Sequence, residues 1–201
     1  MINFVISRWG DRDVSWVGKY APSMILYDRS DNPQPGSIIV PNLGTDLADK
    51  FHFIITNYNN LPPVAVYTKD NLWKYISQPE FDKVKNNTWF TPLLTMNHRT
   101  YADETGKQVC YYKDGIYWEI NNMWYLNQHP VKHDPREIQT LMGIDKMEYV
   151  PFAPGSNYIL TAEDIRRHPV EFYIKLYNYL TWAVYPGEAQ VIERGLYTIF
   201  R

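Results

Sequence analysis

One cysteine, Cys110, is all the chain carries, so no disulfide can form within it, and a reducing compartment suits it. No apolar run approaches the roughly 18 residues that a membrane-spanning helix requires. The N-terminal run from Ile2 to Ile6 is broken by Asn3 and has no basic residues before it, which reads as a core strand rather than a signal peptide. A basic surplus is missing too. With 20 Lys and Arg against 22 Asp and Glu, the net charge is −2, which offers no field to a phosphate backbone and argues against nucleic acid. Internal repeats, linkers and low-complexity segments are also lacking. These absences lead to the expectation of a cytoplasmic protein with no membrane span.

What is present is a chain of 201 residues, 45% hydrophobic and 16% aromatic. That is enough for one well-packed domain and short for two, so a single domain over 1–201 is expected. The first seventy residues alternate short apolar runs with helical or loop segments. That pattern predicts βαβ units and a mostly parallel central sheet flanked by helices. Four strands are expected at Ile2–Ser7, Met24–Asp28, Ser37–Val40 and Val64–Thr68, each β-branched or aromatic over most of its length. A helix after Gly44 is marked by Leu47, Phe51, Ile54, Ile55 and Tyr58 at helical spacing, with Thr45 as its cap and Pro62-Pro63 preventing its continuation. A shorter helix is expected near Asp13–Tyr20.

Farther on, Lys113-Asp114-Gly115 between Gln108–Tyr112 and Ile116–Ile120 predicts a hairpin. Asp134-Pro135-Arg136-Glu137 supplies the cap, N1 proline and N3 glutamate of a helix, and Thr161-Ala162-Glu163-Asp164 starts another that stops before Pro169. Helices from Pro169, with Phe172, Tyr173, Leu176, Tyr177 and Leu180 inside, and from Glu188 to Ile199 complete the reading.

The stretch from Asn42 to Asn71 carries the functional signal. A buried strand, Val64–Thr68, follows a Gly-containing turn and a helix, and delivers Lys69 and Asp70 to its C-terminal end. In open α/β sheets that end is where phosphorylated ligands are held. The other strand exits carry Ser7-Arg8-Trp9, Asp28-Arg29 and Asn42, so polar groups gather on one edge. A nucleotide needs acceptors for base and ribose, positive charge for its diphosphate and a wall for its sugar. Asp28 is a candidate acceptor for base or ribose, with Ser7 and Arg8 beside it, and Lys69 and Asp70 face the diphosphate. Asp28 and Asn42 fit turn formation equally well, and Asp70 fits a plain strand end. Asp11-Arg12-Asp13, the only literal Asp-x-Asp, fits a helix cap better than a site.

Asn42-Leu-Gly44-Thr-Asp-Leu-Ala48-Asp-Lys50 resembles the Asn-x-Gly-x-x-x-Ala-Arg-Asn turn and helix of GT-A glycosyltransferases. In those enzymes the next strand ends in Asp-x-Asp, whose carboxylates hold a divalent metal on the sugar nucleotide's diphosphate. The resemblance covers mainly the first seventy residues. It departs at Asp49, where the family has arginine, and at Thr68, which replaces the first aspartate. A longer run of pieces is similar to an uncharacterised glycosyltransferase-like family. They are Val5-Ile-Ser-Arg-Trp9, Ser15-Trp16, Pro41-Asn-Leu-Gly44, Asn57-Tyr-Asn-Asn-Leu-Pro62, Pro154-Gly155 and Glu193-Arg194. In outline the chain also looks like a glycosyltransferase domain of a large algal virus, which would put it in host cytoplasm.

The resemblance implies a GT-A-like, Rossmann-like fold with residues 1–71 as the nucleotide-binding half and 72–201 as the acceptor-side half. It implies transfer of a sugar from a nucleoside diphosphate, UDP favoured, to a hydroxyl of a glycan or glycoprotein, assisted by Mn2+ or Mg2+ at Asp70. Nucleotide contacts fall to Ser7, Arg8, Trp9, Asp28, Asn42, Lys69 and Asp70. Sugar or acceptor contacts fall to Gly155, Ser156 and Asn157, and the base to Glu188 at the start of the last helix, with Glu193 behind it. The alternative is a noncatalytic glycan- or nucleotide-binding module on the same scaffold.

The remaining candidates have plainer readings. His129 and His133 are four apart, but Pro130 interrupts any helix that would carry both and no cysteine is near, so a zinc site is not expected. His52 and His98 have no recognisable partners. Trp73, Trp89, Trp118, Trp124 and Trp182 have faces suited to sugar rings but fit core or rim positions better.

Overall fold

A computed structural model describes residues 3–95, 101–122 and 128–201. Ten strands and six α-helices follow in chain order. The strands are β1 (Asn3–Arg8), β2 (Met24–Asp28), β3 (Ile38–Ile39), β4 (Val64–Lys69), β5 (Thr91–Pro92), β6 (Tyr101–Ala102), β7 (Gln108–Lys113), β8 (Ile116–Ile120), β9 (Tyr149–Pro151) and β10 (Tyr158–Thr161). The helices are α1 (Thr45–Asn57), α2 (Gln78–Val84), α3 (Pro135–Leu141), α4 (Ala162–Arg166), α5 (Val170–Leu180) and α6 (Gly187–Phe200).

The main sheet has six strands in the order β3-β2-β1-β4-β10-β5. β1 runs parallel to both β2 and β4, and β2 runs parallel to β3. β10 is antiparallel to both β4 and β5, so the α/β sheet is mixed rather than mostly parallel as expected. The reversal has a local cause. Tyr158 enters the sheet opposite Tyr67, and Thr161 leaves opposite Val64, so the chain descends from the turn at Pro154–Asn157 back along β4. Both faces of this sheet are covered, which is why its strands read as continuous apolar runs. Phe4, Ile6, Val66 and Ile159 face one core with Val17, Leu72 and Phe81. Val5, Ala65, Tyr67, Tyr158 and Leu160 face the other, under α1, α5 and α6. Successive residues thus alternate between two interiors.

The second sheet is antiparallel, in the order β6-β7-β8-β9. Its β7–β8 hairpin turns where Asp114 and Gly115 both take positive φ, 53° and 78°, as a two-residue turn of this hand requires. The Asp134 cap of α3 and the Thr161/Asp164 capping box of α4 form as the residues predict. The expected helix near Asp13–Tyr20 is a short 3-10 segment, Ser15–Lys19. α2 is an addition, although its box, Ser77-x-x-Glu80, is legible in the residues. Tryptophans 16 and 73 pack edge to face at 4.8 Å beside Phe81, and Trp118 stacks on Tyr111, so these rings are structural. His52 does have a partner, the Tyr27 hydroxyl at 3.0 Å. Trp124 and His98 lie outside the described residues.

Gly44 fixes where α1 begins. Its φ is 71°, its N–H donates to the Ala183 carbonyl at 2.8 Å, and a Cβ there would lie 2.8 Å from the Leu180 Cβ. Only glycine meets both the backbone and the steric demand. Gly44→Ala is expected to cost roughly 2–4 kcal/mol, a left-handed penalty added to overpacking, read as a lower midpoint in denaturant unfolding.

Candidate functional site

The chain leaves β1 toward β2 and β3 on one side, then returns through α1 to place β4 on β1's other side. The carboxyl ends of β1 and β4 therefore part over a crevice at the topological switch point, where open α/β sheets bind ligands. A cavity of about 350 Å³ occupies it. The strand exits contribute Ser7, Arg8, Trp9, Lys69 and Asp70, the turn before α1 adds Asn42, and the start of α1 adds Thr45 and Asp46. Ser156, Tyr185, Gln190 and Glu193 close the far wall.

Beneath the cavity lies a buried charge network. Lys50 bonds the Asp46 carboxylate one helical turn earlier and donates to the Ser156 carbonyl at 2.6 Å. The Ser156 hydroxyl donates to the same carboxylate at 2.8 Å, and Lys69 Nζ stands 3.6 Å from its other oxygen. Burial pushes the Asp46 carboxyl up, but Lys50 and Lys69 outweigh it and hold it well below the usual carboxylate range. Burial lowers Lys50. It also opposes charge on Lys69, yet Asp46 and Glu193 more than compensate and keep that ammonium firmly protonated. The Lys69 nitrogen also sits 5.1 Å from the Tyr75 ring centroid.

Asp70 reaches the cavity, as expected, but with both oxygens in use. Oδ2 accepts from the Trp9 N–H at 2.7 Å and Oδ1 from the Arg12 guanidinium at 2.9 Å. Trp9 is half exposed at the cavity mouth, with Arg12 packed 5.7 Å from its ring.

Asp28 does not line the cavity. It is fully buried and accepts from Arg8, from the Ser30 N–H and hydroxyl, and from the Gln34 N–H. Burial raises its carboxyl, yet these bonds hold it below its ordinary value. Its acceptor capacity is spent on ordering the loop after β2, the turn-forming role that its position also allowed. Arg8 lines the cavity, but its guanidinium is committed to Asp28, Ser30 and the carbonyls of Arg12 and Asn32. Arg29 pairs in two-pronged fashion with Asp49, at 3.0 and 2.6 Å, and donates to the Leu43 carbonyl. Burial pushes the Asp49 carboxyl up and Arg29 opposes it. This pair ties the exit of β2 to α1.

On the far side, Asn157 faces away from the cavity. Its Oδ1 accepts from the Thr68 hydroxyl and the Lys69 N–H, both at 3.0 Å, stitching β10 to β4. Thr68 is fully buried beneath the sheet edge. Gly155 is also outside the lining, with φ 93° and a built Cβ 2.3 Å from the Tyr75 ring. Ser156 does line it.

Glu188 is corrected as the base candidate. It is wholly buried outside the cavity, and its Oε1 accepts from the N–H groups of Lys132 and His133 at 2.8 and 2.7 Å. Glu193, five residues on, faces the cavity, accepts from the Gly155 N–H at 2.8 Å and lies near Lys69. Its neighbour Arg194 turns the other way, to Glu119.

Three non-glycine residues among those described have positive φ, and two of them, Thr45 at 58° and Ser156 at 52°, line the cavity. Such backbone costs on the order of 1–3 kcal/mol per residue and persists only where surroundings enforce it. α1 is counted from Thr45 with Gly44 in the cap position, so Thr45 is not the cap, and its hydroxyl accepts from the Leu47 N–H at 3.4 Å. Arg12, Arg29 and Glu193 are the site residues that motif reading undervalued.

A divalent cation at Asp70 fits this donor set poorly. Hard cations take several oxygen ligands. Here one carboxylate, already bonded through both oxygens, is bordered by Arg12 and Lys69. Among the described residues no three His, Cys, Asp or Glu side chains converge on a common point. No described helix is long and apolar enough to cross a membrane. No protein-family model, curated protein or solved structure shows significant similarity to the chain.

Two consequences are measurable. Asp46→Asn leaves the Lys50 ammonium buried without its counter-charge and is expected to cost about 3–5 kcal/mol in denaturant unfolding. Burial raises the Glu193 carboxyl above its ordinary 4.5, with Lys69 opposing. Above pH 4.5 the unfolded chain therefore releases this proton first, and the group's contribution falls as pH rises until the folded carboxyl ionises. Glu193→Gln keeps an acceptor for Gly155 and removes that decline. Its stability relative to wild type should rise between pH 4.5 and 7, and a flat difference would contradict the assignment.

Proposed function

We propose that the chain is a GT-A-like glycosyltransferase that takes a sugar from a nucleoside diphosphate, UDP favoured, and passes it to a hydroxyl of a glycan or glycoprotein in the cytoplasm. One observation carries the reading. The cavity lies at the switch crevice, with the protonated Lys69 on its wall and the start of α1 opening into it. Residues from 1–71 form the side suited to a nucleotide, and Ser156 and α6 form the side suited to sugar and acceptor.

In the transfer, the acceptor oxygen bonds to the anomeric carbon while the bond from that carbon to the β-phosphate oxygen breaks. The electron pair leaves on the diphosphate, and the acceptor's proton passes to a base. Stabilising the departing charge is the main electrostatic task, and Lys69 is suited to it. Glu193 takes the base role first given to Glu188, because it is the glutamate that reaches the cavity and burial raises its basicity. Trp9 and Tyr185, both half exposed at the rim, offer faces for a base or sugar ring.

A noncatalytic nucleotide- or glycan-binding module is the second reading. It is favoured by Asp70, whose oxygens serve Trp9 and Arg12 instead of a ligand.

Thermal unfolding with UDP, GDP and CMP, each with and without Mn2+, tests both readings. A nucleotide at about 100 times its Kd should add roughly 2.7 kcal/mol. UDP stabilisation together with consumption of a UDP-sugar, lost in Glu193→Gln, is the expected outcome. Binding without consumption of any sugar nucleotide supports the module, and no response to any nucleotide overturns the transferase.

A further inference from the structure

Resting on that reading, we propose that Lys69 and Arg12 supply the positive charge for the diphosphate in place of a divalent cation, and that Asp70 is a positioning residue that holds Arg12 until the ligand takes it.

Four arginine or lysine side chains of the cavity wall can be sorted by what already holds them. Arg8 and Arg29 are fixed by buried carboxylates, Asp28 and Asp49, and by backbone carbonyls. Their charge is spent. Arg12 is different: its side chain is 47% exposed, and its one hydrogen bond among the described residues is to Asp70. A guanidinium has five N–H donors, so four remain for a polyanion. Lys69 lines the cavity with its side chain 23% exposed, and although Asp46 at 3.6 Å, Glu193 and Tyr75 all act on its ammonium, Asp46 is already met by Lys50 and the Ser156 hydroxyl, so the Lys69 charge is shared rather than consumed.

Asp70 has the opposite character. Its side chain is 2% exposed and pinned by the Trp9 N–H, a bond that no movement of Arg12 removes. Metal binding there would require a cation to compete with a guanidinium and approach an ammonium. A diphosphate entering the same space meets two cations and displaces one surface-exposed arm. Exchange of Arg12 from one carboxylate to a ligand carrying more negative charge and several acceptor oxygens is favourable, since phosphate groups match its fork. Trp9 keeps the arm near the mouth meanwhile.

The test uses UDP, uridine and inorganic pyrophosphate as probes, titrated calorimetrically into the whole chain in EDTA and again in Mn2+. Expected are equal affinities for UDP in the two buffers. Lys69→Ala and Arg12→Ala should each weaken UDP and pyrophosphate about tenfold and leave uridine unchanged, a selectivity that general loosening of the fold does not produce. Asp70→Asn retains an acceptor for Trp9 and frees Arg12, so it should tighten UDP several-fold, a gain that disappears when Arg12→Ala is added in the double variant. Binding that vanishes in EDTA and returns with Mn2+, or that Asp70→Asn destroys while Arg12→Ala leaves intact, overturns the proposal and leaves the transferase reading standing. If Asp70→Asn does not fold, the EDTA comparison and the two cation variants decide alone. Failure of UDP, GDP, CMP and pyrophosphate alike to bind wild type falls on the transferase reading itself.

Discussion

The contact between Lys50 and Asp46 lies where three parts of the molecule meet. Both residues belong to α1, yet the lysine also caps the Ser156 carbonyl, and the aspartate also accepts the Ser156 hydroxyl. The first turn of α1 is thereby tied to the turn that sends β10 back along β4. Charge removed from water this deeply is costly unless each group is matched, and here both are. The network sets the position of the cavity wall, holds Ser156 in its uncommon backbone conformation and includes Lys69, the lysine of the cavity lining.

The same economy governs the strand exits. Arg8 and Asp28 join the ends of β1 and β2, Arg29 and Asp49 join the end of β2 to α1, and Asn157 joins β10 to β4. Each pair is internal, and each removes a side chain from the set that can touch a ligand. A site rich in polar residues is thus reduced to a short list of groups held by few partners at the cavity wall, with Arg12, Lys69, Trp9 and Glu193 foremost. Recognition and scaffolding draw on the same residue types here, and only the partner distinguishes them.

Local features were legible in the sequence because a few adjacent residues determine them. The stripe of α1, the Asp134 cap, the Thr161 box and the Asp114-Gly115 turn all form where their residues predict. The direction of β10 was not legible, since it depends on pairing with β4 some ninety residues earlier. The glutamate of α6 failed for a similar reason. Glu188 and Glu193 are five residues apart, about 140° around a helix, so the rotation of α6 decides which one meets the cavity. Arg12 was hidden in an acidic-looking tripeptide whose carboxylates drew attention away from the guanidinium between them. The polar exits of β1 and β4 were legible, and the strand order, which the sequence did not disclose, is what sets them over the switch crevice.

The flanks of the six-stranded sheet lead to one more consequence. Its outer members, β3 and β5, are each two residues long, and β5 ends in Pro92, which has no N–H to offer. Ile38 and Ile39 are exposed, and Pro35 and Pro41 stand on either side of them. A neighbouring chain seeking to extend the sheet finds too few bonds at either margin to hold on. The isoleucines at that border therefore present little ladder for edge-to-edge growth, and the guard is brevity rather than repulsion.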